Sequence, residues 1–265
     1  MNTYHSRWAQ DLQGSARIAL ACLDLTSLND ADTEADIAKL CDRAQGPCGP
    51  VAAVCVWPRL AAFARAQLPA SIAVAAVANF PDGSADVDRA VRDTHAIVQA
   101  GAQEVDVVLP YRELMAGNDD AVVAVLNAVR KASDGLRLKV ILETGALQST
   151  AMIARASVLA LEAGADLLKT STGKTLISAT PDTARTMLKT IAAHPAYAKR
   201  VGFKPSGGIR TVADAAVYIA LCEEYLGAEA LTPQRFRIGA SSVLTDIEAV
   251  LGGHVAPATP GSGTY

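Results

Sequence analysis

Eight short apolar runs, separated by longer stretches with helical spacing, constrain this 265-residue chain more than any other feature. The runs are "RIALACL" (17–23), "VAAVCVW" (51–57), "SIAVAAVA" (71–78), "EVDVVL" (104–109), "LKVILET" (138–144), "DLLKTS" (166–171), "RVGFKPS" (200–206) and "FRIGAS" (236–241). Each is nearly continuous in apolar residues rather than alternating, as strands of a parallel sheet covered on both faces must be. Helix start signals fall between them: Asn29 or Asp30, Ser84, Ser149, Pro181 and Thr211 each precede a helical pattern. Gly101 and Gly164 stand as helix C-caps just ahead of strands. This alternation predicts a TIM (β/α)8 barrel over residues 1–251 and a mobile Gly/Pro/Ser/Thr-rich tail over 252–265. The competing open doubly wound sheet would want a GxGxxG after the first strand, and none is there.

Composition narrows the function. The 24 basic and 27 acidic residues give a formal charge of -3, which gives no sign of a nucleic-acid footprint or a polybasic membrane patch. An anionic ligand must therefore be caught locally. No apolar run is long enough to span a bilayer, and the start has no signal-peptide core. The five cysteines lack metal-knuckle spacing and read as free thiols in a reducing compartment, so the cytoplasm is expected. The four histidines (His5, His95, His194 and His254) are scattered and form no plausible zinc triad, so neither a metal nor a cofactor is expected.

In a barrel of this kind the chemistry lies at the C-terminal strand ends. Polar residues at those ends are Asp24, Asn79, Asp106, Glu143, Lys169, Lys204, Ser241 and Ser242. An ammonium within an apolar strand must be paired, solvated by a cavity, or neutral, because burial disfavours its charged form. Lys169 and Lys204 fall on the sixth and seventh runs, adjacent strands about 5 Å apart. Each would depress the other's pKa, a route to a nucleophilic Schiff-base lysine at neutral pH. The plainer reading, a salt bridge across the barrel mouth, stands beside it for each lysine. Asp106 is the best partner for Lys204 or for a catalytic water, and a satisfied ion pair is its plainer role. Asp24 and Glu143 resemble it by position and are read as orienting the lysines. A separate signal marks an anion site: "KPSGGIR" leaves the seventh strand through Gly207 and Gly208, "GASS" leaves the eighth through Ser241 and Ser242 into a helix, and "STGK" (Thr172, Lys174) follows the sixth. For Lys174 and Arg210 a solvated loop position is the plainer alternative.

The stretches "DLTSLND", "CVWPR", "NFPDG", "GAQEVDVVLPYRELMAGN", "LKVILETG", "AGADLLKTSTGK", "VGFKPSGGIRT" and "RIGASS" resemble, in order and over nearly the whole chain, the deoxyribose-phosphate aldolases, class I Schiff-base enzymes built on a TIM barrel. The departures, such as Leu109 and Ser206, touch only apolar or small positions. The resemblance implies that Lys169 forms the Schiff base, that Lys204 tunes it, and that Asp106 and Lys204 relay protons through water. It implies cleavage of 2-deoxy-D-ribose 5-phosphate to D-glyceraldehyde 3-phosphate and acetaldehyde, with the phosphate resting on Gly207, Gly208, Ser241 and Ser242 and Lys174 near it. It also implies a homodimer and a role in proton transfer for the terminal Tyr265, which composition alone reads as part of the tail. The partners expected are small sugar phosphates and aldehydes, with no nucleic acid and no membrane. Two rival readings are a Schiff-base aldolase for another phosphorylated sugar and a sugar-phosphate-binding barrel without turnover. Cys55 is expected to be a buried structural thiol.

Overall fold

The computed structural model describes residues 7–252. Eight strands form one parallel sheet: β1 (Leu23–Thr26), β2 (Ala53–Val56), β3 (Ala73–Ala78), β4 (Glu104–Val108), β5 (Arg137–Ile141), β6 (Leu167–Lys169), β7 (Gly202–Lys204) and β8 (Ile238–Ala240). Neighbours in the sheet are neighbours in sequence, and β8 pairs with β1, in the order β7-β6-β5-β4-β3-β2-β1-β8. Two isolated parallel bridges, Phe203 to Phe236 and Ser206 to Gly239, bring β7 against β8. The eight strands thus form the expected (β/α)8 barrel. Gly202 permits that approach, since a Cβ there would lie 2.3 Å from the carbonyl oxygen of Arg235. Nearly every strand residue is buried because the inner face fills the barrel and the outer face meets the helices, so the strands read as unbroken apolar runs.

The first expected strand is a correction. Residues 17–21 belong to the helix Leu12–Ala21, capped by Asp11, and β1 begins only at Leu23. In this helix Ser15, Ala16, Ala19 and Leu20 are buried while Arg17 and Ala21 are exposed, a period of 3.6 that the Ala-rich composition disguises as a continuous run. The other seven runs contain or overlap β2 to β8. Ser149 and Thr211 cap helices as expected, and Pro181 occupies the first turn of a helix capped by Thr180. Two other starts shift downstream. Thr33, not Asn29 or Asp30, begins the helix Glu34–Arg43, because Thr33 and Asp36 bond reciprocally and satisfy its free N–H groups. Asp86, not Ser84, begins Val87–Gln99, and the Ser84 hydroxyl donates to Asn79 instead. Gly101 and Gly164 have φ of 72° and 86°, the left-handed conformation expected just past a helix end. Among the described residues no helix is long and apolar enough to cross a membrane. Of the expected tail only Gly252 is described, so Tyr265, His254 and, at the other end, His5 lie outside the described residues.

Candidate active site

Side chains two apart on a strand share a face, so β4 sends Glu104 and Asp106 into the barrel together, and β5 does the same with Arg137 and Lys139. Register then sets Asp106 beside Lys139 and Lys169 beside Lys204. Three ammoniums converge on Asp106: Lys139 at 2.7 Å, Lys169 at 2.9 Å and Lys204 at 2.8 Å. Below this level, Arg237 of the β7–β8 connection bonds both Asp24 and Glu104, and Lys139 reaches Glu104 at 2.6 Å and Asp24 at 3.2 Å. Lys204 donates to Asp24 as well as to Asp106. Lys204 fits because β8 has a glycine opposite it: a Cβ on Gly239 would lie 3.0 Å from the Lys204 Cε.

The number of carboxylate partners separates the four buried cations. Among the described residues Lys139 has three, Arg237 and Lys204 have two each, and Lys169 has only Asp106. Burial alone would lower every lysine here. For Lys204 and Lys139 their carboxylates outweigh burial, and both stay protonated, raised above the ordinary lysine value. For Lys169 burial wins. Asp106 opposes it, Lys204 reinforces it, and the Lys169 pKa falls below its ordinary value. Burial would raise Asp106, yet the three lysines hold its carboxyl well below the usual carboxylate range. Four buried cations (Lys139, Lys169, Lys204, Arg237) and the partly exposed Arg137, which bonds Glu104 at 3.0 Å, face three buried carboxylates (Asp24, Glu104, Asp106), so a neutral Lys169 lowers the excess of positive charge in the cluster. Cys55, wholly buried beside this cluster, has its thiol pKa raised by burial.

Above the cluster, Glu143 stands two residues past the end of β5, with φ of 55° and its carboxyl buried. It accepts from the Thr172 hydroxyl at 2.5 Å and lies 3.2 Å from the Thr175 hydroxyl. Burial pushes its pKa up. The loop so held, 172–179, walls one side of a recess of about 190 Å³. Gly207 and Gly208 form the other side, with consecutive φ of 82° and 81° that favour glycine, and Ser241 and Ser242 close it. Ser242 precedes the helix Val243–Leu251 without capping it through its side chain.

The structure thus brings Lys169, Lys204, Asp106 and Asp24 into one cluster and Gly207, Gly208, Ser241 and Ser242 into one recess. Asp24 sits within β1 at mid-barrel rather than at the mouth. Asn79 is tied into a turn through Ser84 and Val108. Thr172 and Lys174 do not line the recess: the Thr172 hydroxyl is spent on Glu143, and the Lys174 ammonium reaches the Leu28 carbonyl at 2.8 Å. The sequence reading missed Lys139, Glu104 and Arg237 in the cluster and Thr175 and Ser178 in the recess, and Arg210, weighed there as a solvated loop residue, does line the recess. Parity along β4 and β5 carried the first signal, since Glu104 and Lys139 stand two residues and one register step from Asp106.

A (β/α)8 barrel with lysines paired to carboxylates at its centre and an anion-sized recess at its mouth defines a barrel enzyme. The model of the DeoC/LacD family aldolases matches residues 18–228, and the chain belongs to that family: it is an aldolase, a carbon–carbon lyase. Solved structures agree. A provisionally assigned deoxyribose-phosphate aldolase from Toxoplasma gondii is 25% identical, with a TM-score of 0.84 over 92% of this chain and 97% of its own. One so assigned from Coccidioides immitis is 27% identical, with a TM-score of 0.78 over 92% and 96%. The deoxyribose phosphate aldolase from Aeropyrum pernix, described as a unique tetramer, is 25% identical, with a TM-score of 0.72 over 92% and 95%.

Proposed function

We propose that the protein cleaves 2-deoxy-D-ribose 5-phosphate reversibly to D-glyceraldehyde 3-phosphate and acetaldehyde through a Schiff base on Lys169. The observation that carries this reading is the inequality among the buried cations: Lys169 alone has a single carboxylate partner and a lowered pKa. A lysine that spends more time as the free amine is a nucleophile. The substrate is supported by the sequence resemblance and by the names of the structural relatives.

Neutral Lys169 attacks the C1 aldehyde of the open-chain sugar and loses water, giving an iminium. A base takes the C3 hydroxyl proton, and the C2–C3 bond breaks with its electron pair flowing toward the iminium. Glyceraldehyde 3-phosphate leaves, and the enamine that remains is protonated on carbon. Water then releases acetaldehyde and restores the amine. Asp106 and Lys204, 2.8 Å apart, are positioned to hold a water that carries these protons, and general acid–base steps of this kind contribute about 10²–10⁴-fold. The 5-phosphate is assigned to the recess of Gly207, Gly208, Ser241 and Ser242, where backbone N–H groups can approach an anion. Tyr265 is kept as a proposed proton-transfer group and Lys174 as a phosphate neighbour, one tested by truncation and the other by Lys174→Met.

Borohydride reduction in the presence of substrate or acetaldehyde, followed by peptide mass spectrometry, tests the reading. A stable adduct on the peptide bearing Lys169 is expected. An adduct on Lys204 would invert the two roles, and binding without any adduct would point to a barrel that only binds sugar phosphates. Sedimentation of the protein distinguishes the homodimer that the resemblance implies from a tetramer such as that described for the Aeropyrum pernix relative.

A further inference from the structure

We propose that Glu143 is a positioning residue for the recess, a hydrogen-bonding clamp that holds the loop 172–179 in the shape that receives the phosphate. The proposal rests on the reading of that recess as the phosphate end of the site. Glu143 is wholly buried yet, among the described residues, pairs with no cation in hydrogen-bonding range; its carboxyl is turned to hydroxyl groups of the loop. Thr172 bonds Glu143 through its hydroxyl at 2.5 Å and through its backbone N–H at 3.4 Å, and the Thr172 hydroxyl in turn accepts from the Lys174 N–H at 3.0 Å. These bonds fix the backbone on both sides of Gly173, which lines the recess.

Thr175 carries the clamp further. Its hydroxyl lies 3.2 Å from Glu143 Oε1 and 3.0 Å from the Ile177 carbonyl, but a hydroxyl has only one proton to donate. All three bonds are met at once when the Glu143 carboxyl carries a proton: Thr172 donates to Oε2, the carboxyl donates to Thr175, and Thr175 donates to Ile177. The upward pKa shift caused by burial runs in the same direction. The loop is also packed against the residues that follow Glu143, since a Cβ on Gly145 would lie 2.0 Å from the Ile177 carbonyl oxygen. Beyond Ile177, Ser178 abuts Gly207, whose Cβ would lie 2.5 Å from the Ser178 hydroxyl. A continuous path of contact therefore runs from Glu143 through Thr175 and Ile177 to the glycine pair.

A clamp that works by hydrogen bonding rather than by charge makes a specific demand: glutamine, which accepts with its carbonyl and donates with its amide, should replace Glu143, and alanine should not. The test measures inorganic phosphate binding by calorimetry, together with kinetics on 2-deoxyribose 5-phosphate and on unphosphorylated 2-deoxyribose. Glu143→Ala is expected to weaken phosphate binding and raise KM for the phosphorylated sugar about 10–100-fold, with turnover of the unphosphorylated sugar changed less than about threefold. Thr175→Val, which leaves the β5 backbone untouched, should give a smaller loss of the same kind, and Glu143→Gln should stay close to the native protein. Equal losses on both sugars would overturn the clamp in favour of an effect on Lys169. Glu143→Gln as impaired as Glu143→Ala would overturn it in favour of charge, and native-like phosphate binding by Glu143→Ala, or none by the native protein, would overturn it outright. A native protein that binds phosphate but does not cleave the sugar would count against the proposed substrate while leaving the clamp readable from calorimetry.

Discussion

The barrel interior and the recess at its mouth are built on opposite plans. In the interior, the charged side chains from Arg237 up to Lys169, apart from the partly exposed Arg137, are wholly or almost wholly buried, and each is bonded to an opposite charge. At the recess, Gly208, Ser241 and Ser242 are exposed, and backbone conformation at Gly207 and Gly208 shapes the walls. The interior sets protonation states through fixed charges, because a low-dielectric setting makes each ion pair strong and each unpaired charge costly. The recess stays open to water, as the proposed phosphate site must. Lys169 stands at the junction: it belongs to the buried set, yet it has the fewest carboxylate partners among the described residues, and it ends β6 just before the chain that leads to the recess.

The sharpest break in this comparison is Lys169→Met. Under the proposed Schiff-base role it should abolish turnover, by about 10³-fold or more, while leaving three buried cations against three buried carboxylates. Thermal unfolding should therefore show a Tm no lower than the native protein's, unlike the loss expected from removing any other member of the set. Arg237→Met is the counterpart. It leaves Asp24 and Glu104 buried without their guanidinium and should cost about 3–5 kcal/mol of stability, read by chemical denaturation.

The pH profile sharpens the distinction between the two strand-end lysines. Because the folded Lys169 pKa is lowered, the amine is released as pH rises through a value below the ordinary 10.5, and the acid limb of kcat/KM reports that step. Removing the Lys204 charge with Lys204→Met takes away a repulsion and leaves Asp106 freer to hold the Lys169 proton, so the limb should move to higher pH. For stability the sign is the same: between the lowered pKa and 10.5 the unfolded chain binds more protons at Lys169 than the folded one, so this group makes stability rise with pH in that window and gives less support below it. A limb that moves to lower pH in Lys204→Met would contradict the assigned electrostatics.

The smallest effect expected is at the recess. Gly208→Ala meets no neighbouring atom within 4 Å, so its cost is the strain of a left-handed alanine, about 1 kcal/mol. KM for the phosphorylated sugar should rise severalfold. Gly207→Ala should do more, because its Cβ would collide with Ser178. Equal effects from the two would mean that steric contact with the loop 172–179 does not matter.

Much of this could be read from the chain. The apolar runs gave seven of the eight strands, and lysines interrupting two of those runs marked Lys169 and Lys204 as buried. The misread first run shows where the signal fails: alanine and leucine serve a buried helix face as well as a strand, and only the exposure of Arg17 and Ala21 separates the two. Glu104 and Arg237 escaped because each stands at the start of a strand beside polar or turn residues, where a solvated charge is the ordinary reading, whereas Lys139 also interrupts an apolar run and escaped because it stands at mid-strand rather than at the C-terminal end where chemistry was sought. Thr172 and Lys174 looked like recess residues from "STGK", but Glu143 and the Leu28 carbonyl hold them elsewhere.

The sequence by itself determined the alternating order of elements, the glycines where the backbone must turn left-handed, and the presence of lysines inside apolar strands. Those are properties of local sterics and of hydrophobic pattern, which act over a few residues. Which carboxylate answers which lysine was decided only by closure of the barrel, because shear and register bring β1, β4, β5, β6, β7 and β8 to one axis. The difference between a lysine with three carboxylates and one with a single partner is a property of that convergence, since Coulomb interactions depend on distance across the barrel rather than on separation along the chain.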